Sequence, residues 1–196
     1  MTLTTKTNKT HYSAGKSSEW FTPPMYIAAA RHVMAGIDLD PASCEAAQVI
    51  VKAAQYFTRA DDGLAHDWHG TVWLNPPYSD YRGQANAWVR KALSEFLAGR
   101  VRQAILLVNA STCYQRAMQD ALMTGSACFS DRRIQFLDES GTKMRQPPQS
   151  NVFIYLGNRH SEFSDCFSQF GAVLMAPYRG RLDMDNLCAK FEMFED

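Results

Sequence analysis

A chain of 196 residues suffices for one well-packed α/β domain and is short for two. A 46% hydrophobic content, a mean hydropathy of −0.31 and apolar runs well short of the ~20 residues of a membrane span argue against a membrane protein. Twenty basic residues balance twenty acidic ones, which gives no global nucleic-acid signature.

The first eighteen residues carry Lys6, Lys9 and Lys16, no acid and no apolar stretch of the signal-peptide kind. They read as a disordered basic tail (1–18) on a cytoplasmic protein, with one domain over 19–196. Pro23-Pro24 before an Ala-rich stretch predicts a helix over Met25–Met34. Ile37–Leu39 reads as a short strand, and Cys44–Ala54 as a helix capped by Ser43. Thr71–Leu74 is apolar and stops at Asn75-Pro76-Pro77, as a buried strand ended by proline does. Trp88, Ala92, Leu93 and Phe96 give Ala85–Leu97 helical periodicity, with Trp88 and Phe96 as core residues. Ala104–Val108 is a parallel-type strand, and Thr112 can cap a helix reaching Leu122. Ala127–Phe129, Ile134–Leu137, Val152–Leu156 and Ala172–Met175 read as strands, and Ser161–Phe170 and Asp183–Phe194 as helices. Strand–helix alternation implies an α/β fold with a mostly parallel, doubly wound sheet and late strands able to pair antiparallel.

Ligands of such sheets bind outside the carboxyl ends of the strands. Two segments fall there: Asp40-Pro41-Ala42-Ser43, and Asn75-Pro76-Pro77-Tyr78-Ser79. The second suits methyl transfer to an exocyclic amine, whose lone pair is delocalised into its ring. The Asn75 amide oxygen can accept one N–H proton and the Pro76 carbonyl the other, which favours a tetrahedral nitrogen. Tyr78 offers a face for the base, worth ~1–3 kcal/mol in stacking.

These residues belong to a wider set: Glu19-Trp20-Phe21-Thr22-Pro23, Asp38-Leu39-Asp40-Pro41-Ala42, Tyr56-Phe57-Thr58, Asp62-Gly63-Leu64, Trp68 and Val72–Ser79. Together they resemble the phage-type DNA N6-adenine methyltransferases over roughly Ser17–Leu156. The resemblance implies a Rossmann-like S-adenosylmethionine-dependent fold with an antiparallel C-terminal strand, a DNA partner and a phage or prophage setting. It places Thr22-Pro23 beside the methionine part of S-adenosylmethionine and the Asp40-Pro41 turn against its α-amino group. Asp62 lies near the adenosine, and Asn75 serves both donor and substrate. Asn75, Pro76 and Tyr78 hold the target adenine, with Pro77 and Ser79 beside it, which requires the base to be flipped from the duplex. Asp40-Pro41 and Asp62-Gly63 also fit ordinary turns. The sequence departs from the broader pattern: Asp40–Glu45 holds no glycine, and only 34 residues separate Asp40 from Asn75.

Charge is uneven. Residues 82–145 hold ten basic and five acidic side chains, hence +5, whereas the last fourteen residues total −4. Arg132, Arg133, Lys143 and Arg145 are the candidate DNA contacts, the last two in a candidate recognition loop around 138–151. A solvated loop fits the same residues. His66-x-x-His69 supplies only two ligands, and five scattered cysteines form no Cys-x-x-Cys, so no metal is expected. Cytosine N4, an RNA base or a glutamine amide could also present an amino group to Asn75, and a catalytically silent DNA-binding module is the remaining alternative.

Overall fold

The computed structural model describes residues 20–77, 84–138, 140–144 and 150–175. Pro24 occupies the first turn of α1 (Pro24–Met34), where a missing N–H breaks no helical bond, and Ala35 ends the helix with a left-handed φ of 59°. There follow β1 (Leu39–Asp40), α2 (Glu45–Val51), β2 (Gln55–Tyr56), β3 (Gly70–Leu74), α3 (Gln84–Leu97) and β4 (Val101–Asn109). A 3-10 turn (Ala110–Thr112) leads to α4 (Arg116–Thr124), β5 (Ser126–Ser130), β6 (Asn151–Leu156), α5 (His160–Phe167) and β7 (Gly171–Leu174).

The seven strands form one sheet in the order β2-β1-β3-β4-β6-β5-β7. β2, β1, β3 and β4 pair in parallel, whereas β6 runs against both β4 and β5, and β7 against β5. Two strands, β6 and β7, therefore oppose the other five. Helices cover both faces, so strand residues alternate between two cores. Ile105 and Leu107 join the core of α1 and α5, rich in Tyr26, Phe153, Tyr155, Phe163 and Phe167. Ala104, Leu106 and Val108 join that of α3 and α4, with Trp68 and Trp88. The chain passes from β1 to β2 on one side and then returns to lay β3 on the other side of β1. Between β1 and β3 the winding reverses, which opens a crevice at their carboxyl ends.

Several elements differ from the sequence expectation. β1 begins two residues later than Ile37 and includes Asp40. α2 stops at Val51, where Lys52 turns left-handed (φ 50°) and the Arg31 guanidinium donates to the Val51 and Lys52 carbonyls. Ser43 does not cap α2 but accepts from Gln48 Nε2 at 2.7 Å. Thr112 does not start α4; it closes a 3-10 turn capped by Asn109 Oδ1, which accepts from Ser111 N. Ile134–Leu137 is no strand. Its buried Ile134 and Phe136 fill the core, but Leu137 pairs only through isolated bridges to Phe21 and Lys143, because β7 takes the place beside β5. The exposed edge strand β2 escaped the sequence pattern. The tail 1–18 and the helix expected over Asp183–Phe194 lie outside the described residues.

Candidate active site

The carboxyl ends of β1 and β3 border a cavity of about 560 Å³. Thr22, Asp40, Pro41, Asp62, Asn75, Pro76 and Pro77 all line it, brought together from four separate stretches of chain. Pro23 is not among the lining residues; it caps α1, its carbonyl accepting from Tyr26 N at 3.1 Å. Tyr78, Ser79 and Arg145 lie outside the described residues.

Asn75 follows β3 directly and is half-buried at the cavity wall. Its Nδ2 donates to the Trp20 carbonyl at 3.1 Å, which fixes the amide so that Oδ1 turns away from Trp20. Trp20 is held in turn, since the next residue, Phe21, exchanges two backbone hydrogen bonds with Leu137 (3.0 and 2.8 Å). Pro76 is buried and Pro77 exposed.

Asp40 is 2% exposed. Its Oδ2 accepts from Gln48 Nε2 at 2.9 Å, while its buried Oδ1 makes no hydrogen bond. Gln48 is immobilised because its Oε1 accepts from Ala53 N at 2.9 Å. Burial raises the Asp40 carboxyl from its usual 3.8 to about 6, an effect tempered by the nearby Ser43 hydroxyl, the Ala42 N–H and Gln48. A buried carboxylate with one unsatisfied oxygen is costly by itself and favourable beside a cation. Thr22 Oγ1 and Trp88 Nε1, also on lining residues, are likewise buried without a partner.

The opposite wall rests on Gly63. A Cβ there would stand 1.9 Å from the Pro41 carbonyl oxygen, so only glycine lets the two segments touch. Trp68 Nε1 donates to the Gly63 carbonyl at 2.8 Å and anchors this segment to the core. Asp62 is exposed with a φ of 52°, and its Oδ1 accepts from Leu64 N at 3.3 Å. It is both a turn residue and a cavity residue. His66 stacks on Phe57 with ring centroids 4.3 Å apart, and among the described residues no group of three or more His, Cys, Asp or Glu is placed to hold a metal. Among the same residues no helix is long and apolar enough to cross a membrane.

Of the cationic candidates, Arg132, Arg133 and Lys143 are not among the residues lining the cavity. Arg132 and Arg133 follow β5, which runs with β4, and both are exposed. Arg132 is engaged by Asp131 through two contacts of 2.7 Å. Lys143 is exposed on a turn in which Asp138 Oδ1 accepts from Ser140 N and Thr142 N, both at 2.9 Å.

Residues 9–169 match the family model of DNA N-6-adenine-methyltransferase (Dam). The chain belongs to this family. Membership supports methylation of adenine N6 as the activity and DNA as the substrate, and adenine methyltransferases in general use S-adenosylmethionine. No curated protein matches the chain. Three residues that line or support the cavity have roles there that sequence reasoning missed. Gln48 orients Asp40 and carries no motif. Trp20 was legible only as part of the resemblance, because a backbone carbonyl leaves no mark in sequence. Trp88 is a core residue as expected, stacked on Trp68, but it also faces the cavity.

Proposed function

We propose that this Dam-family protein binds S-adenosylmethionine in the cavity between β1 and β3 and receives a flipped DNA adenine against Asn75 and Pro76. The observation that carries the reading is Asp40: a buried carboxylate with one unpartnered oxygen, on a residue that lines the same cavity as the Asn75 turn. That donor set fits a cationic α-amino group, and the hydroxyl of Thr22, another lining residue, offers a further polar contact. When bound, the cofactor supplies an electrophilic sulfonium methyl.

Asn75 is held by Trp20 through its amino end, so its Oδ1 is the end that can accept from the adenine amino group. The Pro76 carbonyl accepts the second proton, and Tyr78 stacks on the base. Both acceptors are fixed before substrate arrives, so little reorganisation opposes the reaction. The cavity sits in a Rossmann-like crevice, Asp62 beside the adenosine and Pro41 beside the methionine part, with Pro23 supporting Thr22. DNA lies along the carboxyl edge, where Arg132, Arg133 and Lys143 neutralise phosphates; Ser79, Arg145 and the rest of the 138–151 loop read the target.

Purified protein is incubated with labelled S-adenosylmethionine and, in parallel, duplex DNA, RNA and protein extract, and modified nucleosides are identified by mass spectrometry. N6-methyladenine in DNA is expected, and its loss in Asn75→Ala. N4-methylcytosine, or label confined to protein, would defeat the substrate assignment.

A further inference from the structure

Trp88 packs its ring on Trp68, with centroids 5.9 Å apart, yet its indole N–H is buried and donates to nothing. An N–H buried without an acceptor is unfavourable unless a ligand provides one. Trp88 lines the same cavity as Thr22 and Asp40, the two other described lining residues with a buried, unpartnered polar atom.

The position of Trp88 says which end of a ligand it meets. Leu39 packs in the core of Trp68 and Trp88, on the α3 face of the sheet. Asp40 is the next residue of β1, so its side chain points to the opposite face, where Gln48 of α2 holds it. A ligand whose amine reaches Asp40 must therefore cross the end of the sheet, and its other end arrives at Trp88. That end meets an apolar wall that includes Trp88 and Leu64, which share the core on the α3 face. Gly63 braces it: a Cβ there would lie 3.2 Å from Trp88 Cη2. An aromatic heterocycle with in-plane nitrogen or hydroxyl acceptors suits such a wall better than a carboxylate does.

We propose that Trp88 is a specificity-determining residue whose indole N–H donates a hydrogen bond to the nucleoside end of S-adenosylmethionine. The inference rests on the reading of the cavity as the methyl-donor site. Its test follows the tryptophan indole N–H resonances of the full-length wild-type protein, labelled with nitrogen-15. The Trp88 signal is the one missing from Trp88→Phe or, should that variant fail to fold, the one showing through-space contacts to the Trp68 ring. S-adenosylmethionine and 5′-methylthioadenosine, which keeps the nucleoside and lacks the amino acid, both shift this resonance downfield, whereas methionine alone leaves it in place. Trp88→Phe binds both nucleosides roughly threefold to tenfold more weakly, the loss expected for one neutral hydrogen bond. Calorimetric binding of both nucleosides with an unmoved Trp88 signal overturns the role of Trp88 and leaves the cavity assignment standing. A shift with methionine but not with 5′-methylthioadenosine overturns the nucleoside placement. No binding of S-adenosylmethionine to the wild type overturns the cavity assignment and this inference with it.

Discussion

Asp40→Asn makes the protein more stable at neutral pH while removing its hold on the cofactor. The wild-type carboxyl has a pKa of about 6 in the fold against 3.8 ordinarily. At ~1.4 kcal/mol per tenfold change in the proton equilibrium, the ionised form costs the empty fold about 3 kcal/mol. The sign follows from the raised value: the stability contributed by this group is full below pH 3.8, declines through the interval and is lost above about 6. Asn keeps an acceptor for Gln48 and cannot ionise, so the variant escapes that decline. Urea denaturation of both proteins from pH 4 to 8 therefore shows near-equal stabilities at pH 4, a gap opening between pH 4 and 6, and a plateau of about 1–3 kcal/mol above it. S-adenosylmethionine reverses the order, because a cation beside Asp40 stabilises the ionised wild type and gives the variant little. A variant no more stable than wild type at pH 8, or a gap independent of pH, refutes the electrostatic argument for Asp40.

Gln48→Leu removes a donor to the Asp40 carboxylate, so its pKa rises further and the pH profile of S-adenosylmethionine binding moves to higher pH; calorimetry across pH 5–9 reads the displacement, and an unmoved profile separates Gln48 from Asp40. Gly63→Ala forces a methyl group against the Pro41 carbonyl and lowers stability by about 1–3 kcal/mol in thermal or chemical unfolding, the usual cost of overpacking. Asn75→Ala abolishes methylation while S-adenosylmethionine binding persists within a few-fold if, in the proposed site, the acceptor base depends on Asn75 more than the cofactor does; joint loss of both would mean that Asn75 builds the cofactor wall. Arg132→Ala with Arg133→Ala weakens DNA binding and flattens its salt dependence by at most about two counterions. The change should fall short of two because Arg132 is already paired with Asp131, and an unchanged slope takes both residues out of the interface.

How much of this was legible depends on whether the information is periodic or relational. The strands β3, β4 and β6 and the helices α1 and α3 announce themselves through apolar runs or 3.6-residue spacing, and all five appear within a few residues of their expected ends. β2 could not announce itself. Two exposed residues pair with β1 because the Asp38 and Asp40 carbonyls accept from Gln55 N and Phe57 N, a fact about neighbours with no trace in side-chain pattern. Ile134–Leu137 failed for the reverse reason, since an alternating apolar stretch reports burial and not backbone pairing.

The site divides along the same line. The place of Asn75-Pro76-Pro77 and Asp40 on the cavity was readable because ligands of such sheets bind outside the carboxyl ends of the strands. The absence of a glycine in Asp40–Glu45 looked like a defect when the segment was considered alone. In the fold, close approach to Pro41 is provided by Gly63, twenty-two positions downstream of it, with Trp68 pinning its carbonyl. A residue without a Cβ is thus required where these two segments meet, outside the stretch in which the sequence departs from the broader pattern. The short span between Asp40 and Asn75 is resolved similarly: it holds only α2, the two-residue β2, the Gly63 turn and β3 itself. That economy puts Asp40, Gly63 and Asn75 on one cavity, where Gly63 packs directly against the Pro41 carbonyl.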